Sequence, residues 1–473
     1  MMNWLGIALV LAILSGLLGA LRLYQTWGAP RPELLRKTVH VGMGLVAISF
    51  PWLFDSSWPV LVLGGLSLAG MVALRTVTAL AAGVGTVLSG VGRVSLGEIY
   101  FPLAVALQWH IYLFASSPSE YRVLLYCIPL LLLTLADAAA ALVGVNYGSQ
   151  RYATSDGTKS AEGSLAFFLC AFLCVYIPLL LGSQSGHVET LLIAILLAFV
   201  AMLFEAISWA GLDNLILPLV GYLLLRIYLG LSVAELEVRL AMTAGLMVFV
   251  LLYQTRTTLQ GSALLGACLV GYLSWALGGW RWMVAPLTVF LGHTLLSPRT
   301  QANSRRIHNI HAVVAVSAAG LVWLFLFRLL EGGMATLTID EITAGPEWAW
   351  HEPEYFYLFT LAFAAQLAII GVARLGYDYP RLPAAALLCL CILQGWLLVF
   401  GPYLVLEWSQ PLALARCLCA LPGVALAAVG FFFTQPSVRD CPADRPRWLR
   451  QAAHGALGSA MGLVPLYLFG GVV

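Results

Sequence analysis

Apolar residues run through this chain in blocks of roughly 17 to 25, the length a helix needs to cross ~30 Å of hydrocarbon. The blocks recur from one end to the other, most clearly at 4–23, 60–80, 124–145, 191–209, 310–327, 384–406 and 412–433. Counting every such block gives about sixteen predicted helices. Glycine and proline are frequent inside them, which helices in lipid tolerate when neighbours re-satisfy the backbone. The expected fold is therefore all-α: a polytopic integral membrane protein of about sixteen transmembrane helices.

Composition strengthens that reading. The chain is 61% hydrophobic and only 10% charged over 473 residues, too little polar surface to wrap a soluble core. A net charge of +2 gives no reason to expect nucleic acid as a partner. The first apolar block has no basic segment before it and no small-residue cleavage site after it, so it reads as a retained helix. Cys441 lies in a loop and the other eight cysteines lie in apolar runs, where a thiol acts as a small hydrophobe. No cysteine spacing suggests a disulfide framework or a zinc site.

The basic residues orient the spans. With loops assigned to alternate sides, one side receives only Arg122, Arg226, Arg239, Arg281, Arg328 and Arg416, leaving 18 of the 24 for the other. The positive-inside rule makes the richer side cytoplasmic and places both termini outside. The outer stretch 331–355 is acidic, with Asp340, Glu341, Glu347, Glu352 and Glu354. The expected location is the inner (cytoplasmic) membrane, with any polar site on the cytoplasmic face.

Ionisable groups inside hydrocarbon cost several kcal/mol unless paired or hydrated, which makes them functional candidates. In the first half they converge on one predicted membrane face. Arg36, Lys37 and His40 stand at the mouth of the second span and Glu98 opens the fourth. Asp137 lies in the fifth, which runs on to Gly144 and Gly148. A loop then brings Arg151, Ser155, Asp156, Lys159, Ser160, Glu162 and Gly163, and Glu205 precedes Asp213 and Asn214. Such a set suits phosphoryl transfer from a nucleotide. Asp137, Glu205 and Asp213 are candidate ligands for Mg²⁺, which prefers oxygen and shares itself with phosphate. Lys159 and Arg36 or Lys37 are candidates to neutralise triphosphate oxygens. Gly83, Gly85, Gly90 and Gly92 read as helix contacts or a loop in preference to a phosphate cradle, and the histidines other than His40 as structural.

These residues also fall into a pattern. Arg36-Lys37-x-x-His40-x-x-x-Gly44 resembles a signature of the phytol, farnesol and dolichol kinases, and Gly97-Glu98-x-Tyr100-Phe101-Pro102 resembles their next block. Asp137-x-x-Ala140-x-x-x-Gly144-x-x-x-Gly148 with Lys159-Ser160-x-Glu162-Gly163-Ser164 is similar to their CTP-binding region. Glu205 with Asp213-Asn214-x-x-x-Pro218 looks like their last block. The resemblance implies that CTP is the phosphoryl donor and an isoprenoid alcohol (phytol, farnesol, dolichol or another polyprenol) the acceptor. It further implies that His40, Glu98, Asp137, Glu205 and Asp213 are catalytic. Arg36, Lys37, Gly144, Gly148, Lys159, Ser160, Glu162, Gly163 and Asn214 would then bind the nucleotide. The stretch 259–316, with Gly278-Gly279-Trp280 and Arg305-Arg306, more loosely resembles membrane proteins related to phytyl-phosphate kinases.

Three segments follow: a prenol kinase-like membrane domain over 1–235, the loosely similar segment over 236–334, and C-terminal transmembrane helices over 335–473 with no assigned role. Two other readings stay open. A cytidylyltransferase forming a CDP-lipid would also use CTP and Mg²⁺ at a membrane face, and a lipid or ion transporter would use intramembrane carboxylates as relays. A transporter would also show repeated halves, and no internal repeat is visible.

Overall fold

A computed structural model describes residues 2–28, 30–77, 96–114, 119–154, 157–208, 211–253, 259, 261–296, 308–333, 352–379, 381–435 and 445–469. Outside these lie Gly83, Gly85, Gly90, Gly92, Ser155, Asp156, Arg305, Arg306, Asp340, Glu341, Glu347 and Cys441. The chain forms two compact units, Met1–Met242 and Thr243–Val473.

The first unit contains α1 (Met2–Gly28), α2 (Pro32–Ile48), the single turn α3 (Phe50–Leu53), α4 (Trp58–Thr76), α5 (Gly97–Phe114) and α6 (Ser119–Leu131). A π-helical turn, Leu132–Ala136, joins α6 directly to α7 (Asp137–Tyr147). Where the sequence reading expected a plain loop, an antiparallel hairpin of β1 (Arg151–Thr154) and β2 (Gly157–Ser160) follows. Four residues per strand carry too little alternation to signal a strand in the sequence. Next come α8 (Ala161–Gly182), α9 (His187–Ile207) and α10 (Asp213–Tyr228), and the boundary between the units falls inside α11 (Val233–Tyr253).

The segment Tyr121–Tyr147 is the axis of this unit, packed by α2, α5, α8 and α10. Its inner faces bury Leu130, Leu132 and Leu133 completely, and Trp109, Tyr126, Phe167 and Tyr228 fill the space around it. Outward faces are apolar and exposed, as with Leu165, Leu169, Leu173 and Ile177 along α8. In a soluble protein such a stripe would be a liability; in a bilayer it faces lipid.

The second unit contains α12 (Gly261–Gly278), α13 (Trp280–Leu296), α14 (Ile310–Gly333), α15 (Glu352–Asp378), α16 (Ala384–Leu406), α17 (Ala413–Cys419), α18 (Leu421–Thr434), α19 (Arg445–Ala460) and α20 (Leu463–Phe469). Its centre is α15, which packs against α13, α14, α16, α18 and α19. Small residues let the helices meet closely: a side chain at Gly395 would run into the backbone of Ala364 and Ala368, and one at Gly458 into Ala427. Gln366, in mid-span, would be costly alone in an apolar core. It is paired with Gln451, whose Nε2 donates to Gln366 Oε1 at 3.0 Å. Arg416 pairs with Glu354, and Arg281 with the fully buried Glu407.

Eight described segments are long and apolar enough to cross a membrane: Asn3–Gly28, Tyr121–Tyr147, Ala161–Gly182, His187–Ile207, Ile310–Leu330, Glu352–Gly376, Ala384–Leu406 and Ala413–Thr434. Trp58–Ala73 and Ser262–Gly278 are apolar but shorter. The chain is thus an all-α integral membrane protein by length and composition, apart from one hairpin among the described residues, while length and composition of the described helices support eight spans of the sixteen expected. The shortfall has a physical basis. Helix α2 has only 17 residues and carries Glu33, Arg36 and Lys37; α11 carries Glu235, Glu237 and Arg239 near its start.

Candidate active site

The site is built around a fault in a helix. A π turn closes its backbone bonds five residues on instead of four, so the ladder slips by one residue and a carbonyl drops out of it. In the turn Leu132–Ala136, the Leu133 carbonyl oxygen lies 2.9 Å from His40 Nε2. A carbonyl oxygen only accepts, so Nε2 carries the hydrogen and donates it. Helix α2 gets close enough because residue 44 is glycine: a Cβ there would collide with the Thr134 side chain. The spacing from His40 to Gly44 is one helical turn, which puts both on the face of α2 that meets the π turn.

Asp137 begins α7 directly after the π turn. Its Oδ2 accepts from Lys37 Nζ at 2.6 Å and lies 3.4 Å from His40 Nε2. The Lys37 side chain is 5% exposed, so this is a largely dry ion pair. Arg36, on the neighbouring face, is half-exposed and held by Glu33 of the same helix at 2.5 Å. Phe101 of α5 meets the His40 ring edge-on, with centroids 5.5 Å apart. That ring is what the helix opened by Glu98 contributes here.

The hairpin delivers the second lysine. In its register Tyr152 sits opposite Lys159, and Lys159 Nζ lies 2.8 Å from Glu205 Oε1 near the end of α9. Lys159 also bonds the Glu205 carbonyl and stands 3.5 Å from Ser208 Oγ. The Tyr152 hydroxyl shares a 2.7 Å hydrogen bond with Ser164 Oγ. Burial raises that phenol above its ordinary pKa, so it stays protonated at neutral pH.

The loop glycines and their neighbours hold this delivery in place. Ser160 caps α8, its Oγ accepting from the Gly163 N–H at 3.1 Å. Glu162 accepts from the backbone N–H groups of Ser149 and Gln150 at 3.0 and 3.1 Å, and also from the Ser149 hydroxyl. Gly144, Gly148 and Gly163 surround Ser160; a Cβ at Gly148 would come within 2.7 Å of its Oγ, and one at Gly163 within 3.3 Å of the Gly144 Cα. Of the residues expected to contact nucleotide, these five are the ones the structure accounts for by packing and capping.

Gly211, with φ of +79°, adopts the left-handed conformation that glycine accepts without strain, and the chain turns from α9 into α10 there. Asp213 and Asn214 are thereby placed in the first turn of α10. The charge of Asp213 lies within electrostatic reach of Lys37, His40, Asp137 and Lys159, and Arg36 and Glu205 also feel it. Residues from α2, α7, β2, α9 and α10 thus form one cluster. Sequence reasoning missed Ser208, Tyr152, Leu133 and Thr134. Of these, only Thr134, a hydroxyl one turn before Asp137 in an apolar run, carried any signal; it is buried with no hydrogen-bond partner among the described residues.

Among the described residues no three carboxylates, histidines or cysteines lie close enough to hold a metal by themselves. Lys37 and Lys159 stand against three carboxylates, Asp137, Glu205 and Asp213. The donor set therefore fits a cation that arrives with some of its ligands, as Mg²⁺ does on nucleotide phosphates.

No protein-family model matches the chain, and no solved structure does. It is 29% identical over 216 residues to a phytol kinase from Synechocystis sp. (strain ATCC 27184 / PCC 6803 / Kazusa), covering 46% of this chain and 88% of that protein. Over those 216 residues the chain is similar to that phytol kinase, which supports a polyprenol or phytol kinase-like relationship for that part of it.

Proposed function

We propose that this chain is a kinase that transfers the γ-phosphoryl group of CTP to the hydroxyl of a membrane isoprenoid alcohol. The observation that carries the reading is the convergence of Lys37, Asp137, His40, Lys159, Glu205 and Asp213 at one end of a lipid-faced bundle. The phytol kinase match over 216 residues adds support. Phosphoryl transfer asks for little covalent chemistry from a protein; it asks for positioning and charge. In this reading Lys37 and Lys159 leave their carboxylates to hold triphosphate oxygens, with Arg36 beside them. Asp137, Glu205 and Asp213 hold Mg²⁺, which when bound supplies charge neutralisation at the phosphates. Asn214 and Glu98 line the nucleotide and acceptor sides. The alcohol oxygen bonds to the γ-phosphorus as the bridge to the departing CDP breaks, and the hydroxyl proton passes through a cluster carboxylate to water. An apolar acceptor reaches such a site from within the bilayer, since its chain is already in hydrocarbon and only its hydroxyl needs the cluster.

The segments 1–235, 236–334 and 335–473 follow as a kinase domain and two membrane parts that carry no catalytic step. About sixteen crossings, with the cluster on the cytoplasmic face, require the shorter helices such as α2, α5 and α10 to cross as well. The test is product analysis after incubating the full chain with CTP, Mg²⁺ and a panel of prenols. Prenyl monophosphate with CDP supports the kinase; a CDP-lipid with pyrophosphate makes the chain a cytidylyltransferase.

A further inference from the structure

One face of α2 lies along the π turn and touches it at three places. Lys37, His40 and Gly44 are spaced three and four residues apart, so they share that face. Lys37 Nζ meets Asp137 Oδ2 at 2.6 Å, and His40 Nε2 meets the Leu133 carbonyl at 2.9 Å. Gly44 lies against the Thr134 side chain. Phe101 of α5 stands edge-on to the His40 ring. The histidine thus joins three elements: its own helix, α5 and the π turn.

The π turn decides where Asp137 points. Each residue of an α-helix adds about 100° of rotation and ~1.5 Å of rise. A π turn takes up one extra residue, and Asp137 follows this one directly. An unbroken α-helix from α6 into α7 would therefore carry Asp137 round by about 100°, away from Lys37. The turn has a cost, because it leaves a carbonyl outside the helical ladder. Leu133 is buried, so water does not reach that oxygen freely and a side chain must donate to it. His40 is that donor.

The same bond leaves the ring unsuited to act as a base. A base needs a lone pair directed at the alcohol proton. Nε2 is the nitrogen beside the carboxylate, 3.4 Å from Asp137 Oδ2, and it carries a hydrogen. The lone pair of a neutral ring is then on Nδ1, across the ring, and a charged ring has none. Resting on the kinase reading above, we propose that His40 is a positioning residue. It latches the π turn and so aims Asp137 at Lys37 and the nucleotide, and it takes no proton from the alcohol.

The test compares His40→Gln, which keeps an N–H donor and does not titrate, with His40→Leu, which has no donor. Transfer from γ-labelled CTP to a prenol is measured as kcat and KM across pH, with thermal unfolding of the full chain in detergent alongside. His40→Gln should stay within about tenfold of the wild-type kcat and keep the wild-type pH profile. His40→Leu should lose at least about 10²-fold in kcat, because Asp137 is no longer held in place. It should also melt at a lower temperature. The His40→Gln profile is decisive even if His40→Leu does not fold. Equal losses in the two variants, or a pH–rate limb that His40→Gln abolishes, make His40 a base and overturn the proposal. Wild-type turnover by His40→Leu overturns it as well. A wild-type chain that labels no prenol sinks the kinase reading instead, and melting then decides the latch. His40→Leu melting below His40→Gln upholds it; equal melting refutes it.

Discussion

Lys37 Nζ meets Asp137 Oδ2 at 2.6 Å although the two residues are a hundred positions apart in the chain. Removing one partner of a mostly buried pair strands the other charge, at a cost of about 3 kcal/mol. Lys37→Met and Asp137→Asn should each lower thermal stability in detergent and reduce prenol phosphorylation at least about 10²-fold. The double variant Lys37→Met, Asp137→Leu removes both charges and should regain much of the lost stability while staying inactive. Activity that returned together with stability would make the pair structural.

Lys159 reaches Glu205 from a hairpin, with 16% of its side chain exposed. Lys159→Ala and Glu205→Gln should each cost about 10²-fold in rate. The stability loss should be smaller than for the Lys37 pair, because Lys159 is nearer solvent. Near-wild-type turnover in both variants would remove this half of the cluster from the mechanism.

Much of this was legible in the sequence, and the reasons differ by residue. Apolar block length announced the helices, and the cost of charge in lipid singled out Lys37, Asp137 and Glu205. Which lysine meets which carboxylate was not legible, because pairing across a hundred residues depends on helix packing. The π turn was hidden too: Leu132–Ala136 reads as five ordinary apolar positions. The packing of Gly144, Gly148 and Gly163 around the cap serine was not legible either, because it depends on how α7 meets α8. Span count is less legible, because apolar runs such as that of α2 carry charge at one end and are short as helices.

Gly44 tests whether the close approach of α2 to the π turn positions His40. A valine there collides with Thr134, and overpacking of this kind costs about 1–3 kcal/mol. Gly44→Val should reduce activity by a larger factor than the stability change explains, since His40 and Lys37 move with the helix. Gly64→Val, at a position with open space around it, is the control and should be near neutral. Equal behaviour of the two variants would contradict the packing argument.

The first unit ends within α11, whose last residue is Tyr253. A fragment ending at Tyr253 should insert and retain kinase activity, because every residue of the cluster lies before that point. Insertion and nucleotide binding without transfer to any prenol would show that later helices supply part of the acceptor site.

Label transfer tests the central claim most directly. Purified full-length protein is incubated with Mg²⁺, a prenol and CTP labelled either at the γ-phosphorus or at the α-phosphorus. Label from the γ position should appear in the lipid as prenyl phosphate, absent from the Asp137→Asn variant, while label from the α position stays in CDP. Lipid labelled from the α position, or no labelled lipid with any prenol, would contradict the account.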